Sequence, residues 1–118
     1  MKQREVETLD HPDHQALAVR LAEQSLVLLK NDNNLLPLKH KGRLALIGPF
    51  ATDRNNLMGP WEANGQHAQV VSIHEGFRRA TPALQLTIAE PDQHGTYGSQ
   101  QIARAVQLAR RAQHIVLV

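Results

Sequence analysis

Eleven acidic residues supply the raw material for acid–base chemistry. A paired-carboxylate site needs two of them held about 5–9 Å apart. Glu5, Glu7, Asp10 and Asp13 fall in a polar N-terminal stretch, and Glu23 and Asp32 read as solvated or turn positions. Asp53 is most simply a helix cap. Glu62 stands in a long loop, beside Trp61, with no second carboxylate evidently set to work with it. No catalytic residue is therefore assigned within the chain.

Trp61, the single tryptophan, lies in "NLMGPWEANG". The loop leaves the carboxyl end of a predicted strand, the edge where open α/β sheets bind ligands. An indole there can stack on a sugar or a base, or can instead plug the loop against the core. The seven histidines raise the question of metal. His11 and His14 share an i, i+3 spacing in the polar arm without a nearby third ligand, and His67, His74, His94 and His114 scatter among loops and helix ends. Solvated or capping roles account for them, so no metal site is expected. The turn "GPFATD" is a candidate phosphate cradle to be tested. It has Gly48 alone, with Pro49 removing a backbone donor, and lacks the G-x-G-x-x-G pattern of dinucleotide binders. No cofactor is implied.

The elements that would position these residues must come from 118 residues, enough for one domain to bury about two thirds of its unfolded surface. Apolar content of 42% with 20% charged residues is that of a globular chain rather than a disordered one. Aromatics make up only 3%, so the core must be built from Leu, Val, Ile and Ala. A net charge of +2 with dispersed basic residues argues against a nucleic-acid partner. The absence of cysteine excludes a disulfide framework but selects no compartment. No apolar run has the length of a signal peptide core at the N-terminus or of a membrane span anywhere, so no membrane partner is expected.

Residues 1–13 read as a polar arm. Leu17, Leu21 and Leu28, with Ala18, Ala22 and Leu29, recur at helical spacing and predict a helix from about His14 to Lys30, capped by Asp13 and ended by "NDNN". "LLPL" follows in extended form, because Leu36 precedes a proline. "RLALIG", Arg43 to Gly48, predicts a buried strand, and a helical turn after Asp53 interrupts the loop beyond it. Ser72 and Glu75 in "SIHE" form a capping-box pattern opening a short helix to about Ala80. "ALQLTIAE" is a second strand. Ser99 is expected to cap a helix to about Gln113 with Ile102, Val106 and Ala109 on its inner face, and "IVLV" opens a third strand. Strand, helix, strand, helix, strand predicts an α/β fold with a mostly parallel sheet and helices on both faces. Residues 1–40 would form a linker and helix, and residues 41–118 the first part of an α/β sandwich whose sheet looks unfinished at "IVLV".

Taken together, "SLVLLKNDNNLLPL", "LALIGPFATD" and "LMGPW" resemble glycoside hydrolase family 3, the β-glucosidase and exo-glucanase family. Ser25, Val27, Leu28, Leu29, Lys30, Asn31, Leu36, Pro37, Leu38, Ile47, Gly48, Pro49, Gly59 and Trp61 follow the order and spacing of that family's second domain. The family's Ala-Asp pair is altered, since Thr52 separates Ala51 from Asp53. The resemblance is strong from about His14 to Trp61, weaker through the middle, and returns at "AVQLARRAQHIVLV".

It implies the first three strands of a six-stranded, three-layer α/β sandwich. The leucine-rich segment would link that sandwich to a barrel domain and pack along both. The family hydrolyses β-linked glucosides with retention, using a barrel aspartate as nucleophile and usually a glutamate later in the sandwich as acid/base. Neither position falls within Met1–Val118. The one site residue the resemblance carries over is Trp61, as a substrate-binding aromatic beside the sugar pocket. The competing expectation is a stand-alone α/β module that binds a small ligand or partner without catalysis.

Overall fold

The computed structural model describes residues 8, 11–92 and 94–118. Glu5, Glu7 and Asp10 lie outside the described residues. The chain divides into two compact units, Met1–Pro37 and Leu38–Val118.

In the first unit, helix α1 spans Pro12–Ser25. Its cap is His11, not Asp13: the His11 ring accepts from the Asp13 N–H at 3.3 Å, and Pro12 takes the first helical position. Proline suits that place, because the N–H it lacks would have no helical partner there. Asp13 instead puts a carboxylate in the first turn, where the helix dipole favours it. The helix also ends at Ser25 rather than Lys30. The Ser25 hydroxyl donates back to the Ala22 carbonyl at 2.8 Å, and Leu26 turns to extended backbone with ψ 130°. A serine that satisfies the backbone locally competes with helix continuation. The "NDNN" run forms a 3₁₀ turn, Asp32–Asn34, with Asn33 and Asn34 both at positive φ. Asn31 pins the leucines that follow, its side chain accepting from the Leu36 N–H at 2.9 Å and donating to the Leu36 carbonyl at 3.0 Å. The Leu36–Pro37 bond is cis.

The second unit is an open α/β sheet. Strand β1 spans Gly42–Ile47, helix α2 Ile73–Ala80, strand β2 Leu84–Ala89, helix α3 Ser99–Arg111 and strand β3 His114–Leu117. The order is β2-β1-β3 and both pairings are parallel. In register, Leu46 lies opposite Ile88 on one side and Val116 on the other. Leu44, Ala45 and Leu46 are all fully buried although the pleat sends them to alternate faces. The central strand is therefore covered twice. On one face Leu44, Leu46 and Leu84 pack with Ile73 and Phe77 of α2. Helix α3 packs against β1 and β2 and supplies the other layer.

Ser72 and Glu75 form the capping box expected of them. Helix α3 begins one residue early, since the Gly98 carbonyl accepts from the Ile102 N–H at 3.0 Å and Gly98 is the cap, leaving Ser99 as the first helical residue. Its half-buried side is Gln101, Ala105, Leu108 and Ala109. Ile102 and Val106, expected inside, are 52% and 44% exposed. The apolar arc of α3 is wide, and its small alanines face inward, which lets the helix approach closely and turns the branched residues to the flank.

Candidate functional site

Every loop at the carboxyl edge of the sheet starts from a tightly tied strand end. The Gly48 N–H donates to the Ala89 carbonyl at 3.2 Å and the Val118 N–H to the Ile47 carbonyl at 2.9 Å. Gly48 adopts φ +138°, and a Cβ there would meet the Val118 carbonyl oxygen at 1.8 Å. Only glycine permits that approach. The Thr52 hydroxyl donates to Glu90, and the Tyr97 hydroxyl to the Ala89 carbonyl at 3.1 Å. Burial pushes the Tyr97 hydroxyl above its ordinary pKa, with the nearby Glu90 charge acting in the same direction.

The long loop after β1 is built from a turn and a neck. Asp53 accepts from the N–H groups of Asn55 and Asn56 at 3.0 and 3.2 Å, and from the Asn56 side-chain amide at 2.6 Å. These bonds, the Asn56 amide foremost, hold its carboxyl below the ordinary range. The turn this organises carries the chain to Met58 and Gly59, the latter at φ +72°. The expected helical turn after Asp53 is not a helix: the segment forms a hydrogen-bonded turn, and no helical element lies between β1 and the 3₁₀ turn His67–Gln69. The neck is Arg54: its guanidinium donates to the Ala68 carbonyl at 3.4 Å and pairs with Glu75 at the start of α2. Glu75 also accepts from the Ser72 N–H at 2.9 Å, the largest of the effects holding its carboxyl below the ordinary range. A further bond from the His74 N–H to the Ala51 carbonyl, at 2.9 Å, closes the base.

Trp61 stands between the turn and the neck and is 90% exposed. It does not plug this unit's core. The open cleft on its loop is lined by Asn55, Asn56, Gly59, Pro60, Glu62 and His67. Glu62 Oε2 lies 3.3 Å from His67 Nε2, outside hydrogen-bond geometry. The other carboxylates of this edge are hydrogen-bonded, Asp53, Glu75 and Glu90 as described and Asp92 by the N–H groups of His94 and Thr96 at 2.9 Å each. Away from this edge, Asp32 pairs with Lys30 at 2.9 Å. His11 caps α1, and the His14 ring is 2.9 Å from the Thr8 carbonyl. Among the described residues no group of three or more His, Asp or Glu side chains converges as a metal site would require. No helix of the described residues is long and apolar enough to cross a membrane.

Sequence reasoning missed Arg54, Glu90 and Tyr97, and saw Glu75 only as a cap. Arg54 meets Glu75 across 21 residues of chain, a separation that no local periodicity encodes.

Comparison with known proteins places this architecture. Residues 26–118 match the family model described as the glycosyl hydrolase family 3 C-terminal domain. A periplasmic β-glucosidase of Salmonella typhimurium is 40% identical over 67 residues, covering 57% of this chain and 9% of the relative. A β-xylosidase of Formosa agariphila is 31% identical over 114 residues, covering 90% of this chain and 16% of the relative. Among solved structures, a β-glucosidase from Listeria innocua in complex with gluconolactone superposes with a TM-score of 0.80 over 95% of this chain and 15% of that one, at 21% identity, a likeness of fold. The chain thus spans under a fifth of the length of each of these relatives. With its parallel sheet, its two covering helices and the family match over residues 26–118, the chain belongs to glycosyl hydrolase family 3 and is built there on that family's C-terminal domain.

Proposed function

We propose that this chain works within a larger glycoside hydrolase that cleaves β-linked glucosides with retention, while the catalytic carboxylates come from outside Met1–Val118. The observation that carries the reading is the family match over residues 26–118, joined by a relative named a β-glucosidase. Retaining hydrolysis needs a nucleophilic carboxylate and an acid/base carboxyl about 5–5.5 Å apart. Asp53, Glu75, Glu90 and Asp92 are each hydrogen-bonded within the fold, and Glu62 has no second carboxylate beside it in its cleft, which supports assigning that pair elsewhere.

Two parts of the chain have roles in this arrangement. Residues 1–40 serve as the interdomain linker, and Leu26, Val27, Leu28 and Leu29, 81%, 77%, 60% and 92% exposed, provide apolar surface for a barrel domain to cover. Residues 41–118 form the first part of the sandwich. Trp61 sits at the rim of the sugar pocket, where its exposed indole offers a platform for the C–H face of a pyranose on the leaving-group side. Pro60 restricts the backbone before it and lowers the ordering cost of binding. A β-xyloside is the second reading for the substrate, favoured by the β-xylosidase relative that aligns with 90% of the chain.

The test compares the full-length enzyme containing this chain with the 118-residue chain alone, on aryl β-glucoside and aryl β-xyloside. The full-length enzyme is expected to turn over the glucoside with the higher kcat/KM, and the chain alone to show nothing above buffer. A higher kcat/KM for the xyloside selects the second reading. Turnover that co-purifies with the chain alone and disappears in Glu62→Gln overturns the assignment of catalysis to other segments.

A further inference from the structure

The segment from Arg54 to Ala68 leaves the sheet and returns to nearly the same place. At that neck the Arg54 guanidinium bonds the Ala68 carbonyl at 3.4 Å with one nitrogen and Glu75 with another. Glu75 is in turn fixed by the Ser72 N–H at 2.9 Å and the Ser72 hydroxyl at 3.1 Å. Side-chain exposures of 39% for Arg54 and 29% for Glu75 place the pair at the shielded base of the loop rather than on open surface. One guanidinium therefore joins the outgoing chain, the returning chain and the first turn of α2. Arginine suits this task, because its planar fork presents several donors in a fixed arrangement that a lysine ammonium does not reproduce.

The rest of the loop is bonded mainly within itself: the Gly65 N–H donates to the Glu62 carbonyl at 2.7 Å, and Glu62 lies 3.3 Å from His67. Gly59 is at φ +72° with nothing within 4 Å of where a Cβ would stand, and Trp61 is 90% exposed. The turn at Asp53 is local, bonding only to residues within three positions. Among the bonds described for this segment, those of Arg54 tie it to the folded unit.

We infer that Arg54 and Glu75 are positioning residues that set the orientation of the Trp61 loop by clamping its neck to the start of α2. The consequence for substrate rests on the reading of Trp61 as a sugar-facing residue; the clamp itself does not. An uncharged partner on either side of the pair releases the neck, and Trp61 then samples a wider range of directions while the sheet stays folded.

Trp61 is the only tryptophan, so its fluorescence in this chain reports the loop alone. Time-resolved anisotropy is measured in the wild type, Arg54→Ala, Arg54→Lys, Glu75→Gln and the Arg54→Ala/Glu75→Gln double variant, with hydrogen exchange of the β1 amides as the measure of folding. The expected result is that the amplitude of fast Trp61 motion roughly doubles in Arg54→Ala. Arg54→Lys should recover part of the loss, and the double variant should add nothing to the larger single effect, as for two groups acting as one unit. Unchanged anisotropy in Arg54→Ala, or additive effects in the double variant, overturns the inference. So does loss of β1 protection in both Arg54→Ala and Arg54→Lys, which would make the pair a fold determinant rather than a positioning device. In the full-length enzyme, KM for a disaccharide should rise in Arg54→Ala as in Trp61→Ala. If Trp61→Ala leaves KM unchanged while the anisotropy behaves as expected, the sugar-contact reading fails and the clamp stands.

Discussion

Replacing Trp61 by alanine separates a sugar contact from a structural one, because the first changes KM by substrate and the second changes Tm. The side chain is 90% exposed, so about a tenth of its surface leaves water on folding. For a residue that buries some 150–250 Å² when enclosed, that fraction corresponds to roughly 0.5 kcal/mol. In a unit of this size such a loss moves Tm by about 2–3 °C. A pyranose stacked on the indole contributes on the order of 1 kcal/mol beyond its area, by analogy with aromatic pairs, which is about fivefold in binding. On the proposed reading the contact is to the leaving group, so KM for a disaccharide should rise about fivefold in the full-length enzyme while KM for a small aryl glycoside changes little. Steady-state kinetics on both substrates, with melting curves of the same preparations, provide the assay. Equal kinetic effects on the two substrates together with a large drop in Tm would refute the reasoning.

Two further expectations follow from the sheet and the loop base. Ile115 and Leu117 of the edge strand β3 are 52% and 74% exposed beside unpaired backbone groups, so the 118-residue chain should self-associate. Sedimentation should show oligomers that diminish in the Ile115→Lys/Leu117→Lys variant, and a clean monomer with a sharp unfolding transition would contradict this. The Glu75 carboxyl is held below its ordinary range chiefly by the Ser72 N–H, and the Asp53 carboxyl chiefly by the Asn56 amide. A depressed folded pKa means the stabilisation is complete above the unfolded value of about 4 and is lost as pH falls through the folded value. Denaturant midpoints should therefore drop on acidification below about pH 4, less steeply in Glu75→Gln, and identical acid limbs in the two proteins would rule out a role for this carboxyl.

The sheet was readable because its cues are local. Leu44–Ile47 is a short apolar run bounded by Gly42 and Gly48, as expected of a strand covered on both faces, and Ser72 and Glu75 announce the start of α2 within four residues. The end of α1 was not readable. "LVLL" is apolar on every side, so periodicity could not show that Leu26 turns extended, and the Ser25 bond that stops the helix competes with a continuation that the pattern equally allows. In α3 the spacing gave a helix but not which flank of a wide apolar arc meets the sheet, and the inward side proved to centre on Ala105, Leu108 and Ala109. At the candidate site, the place of Trp61 on a loop leaving the carboxyl edge was legible from "LIGP" onward. Its supports were not, because Arg54 with Glu75 and Thr52 with Glu90 are joined by folding across 21 and 38 residues.

The neck at Arg54 makes the residues beyond it an exchangeable cassette. With outgoing and returning chain clipped to each other and to α2, the hydrogen bonds that anchor the excursion are gathered at its two ends. Once the ends are fixed, closing a longer excursion costs only about 0.6 kcal/mol for each doubling of length. Length and sequence between Asn55 and His67 can therefore drift, or be grafted from a relative, without unfolding what lies beneath. A fold with such a clip can alter what it presents at its rim faster than it alters its core.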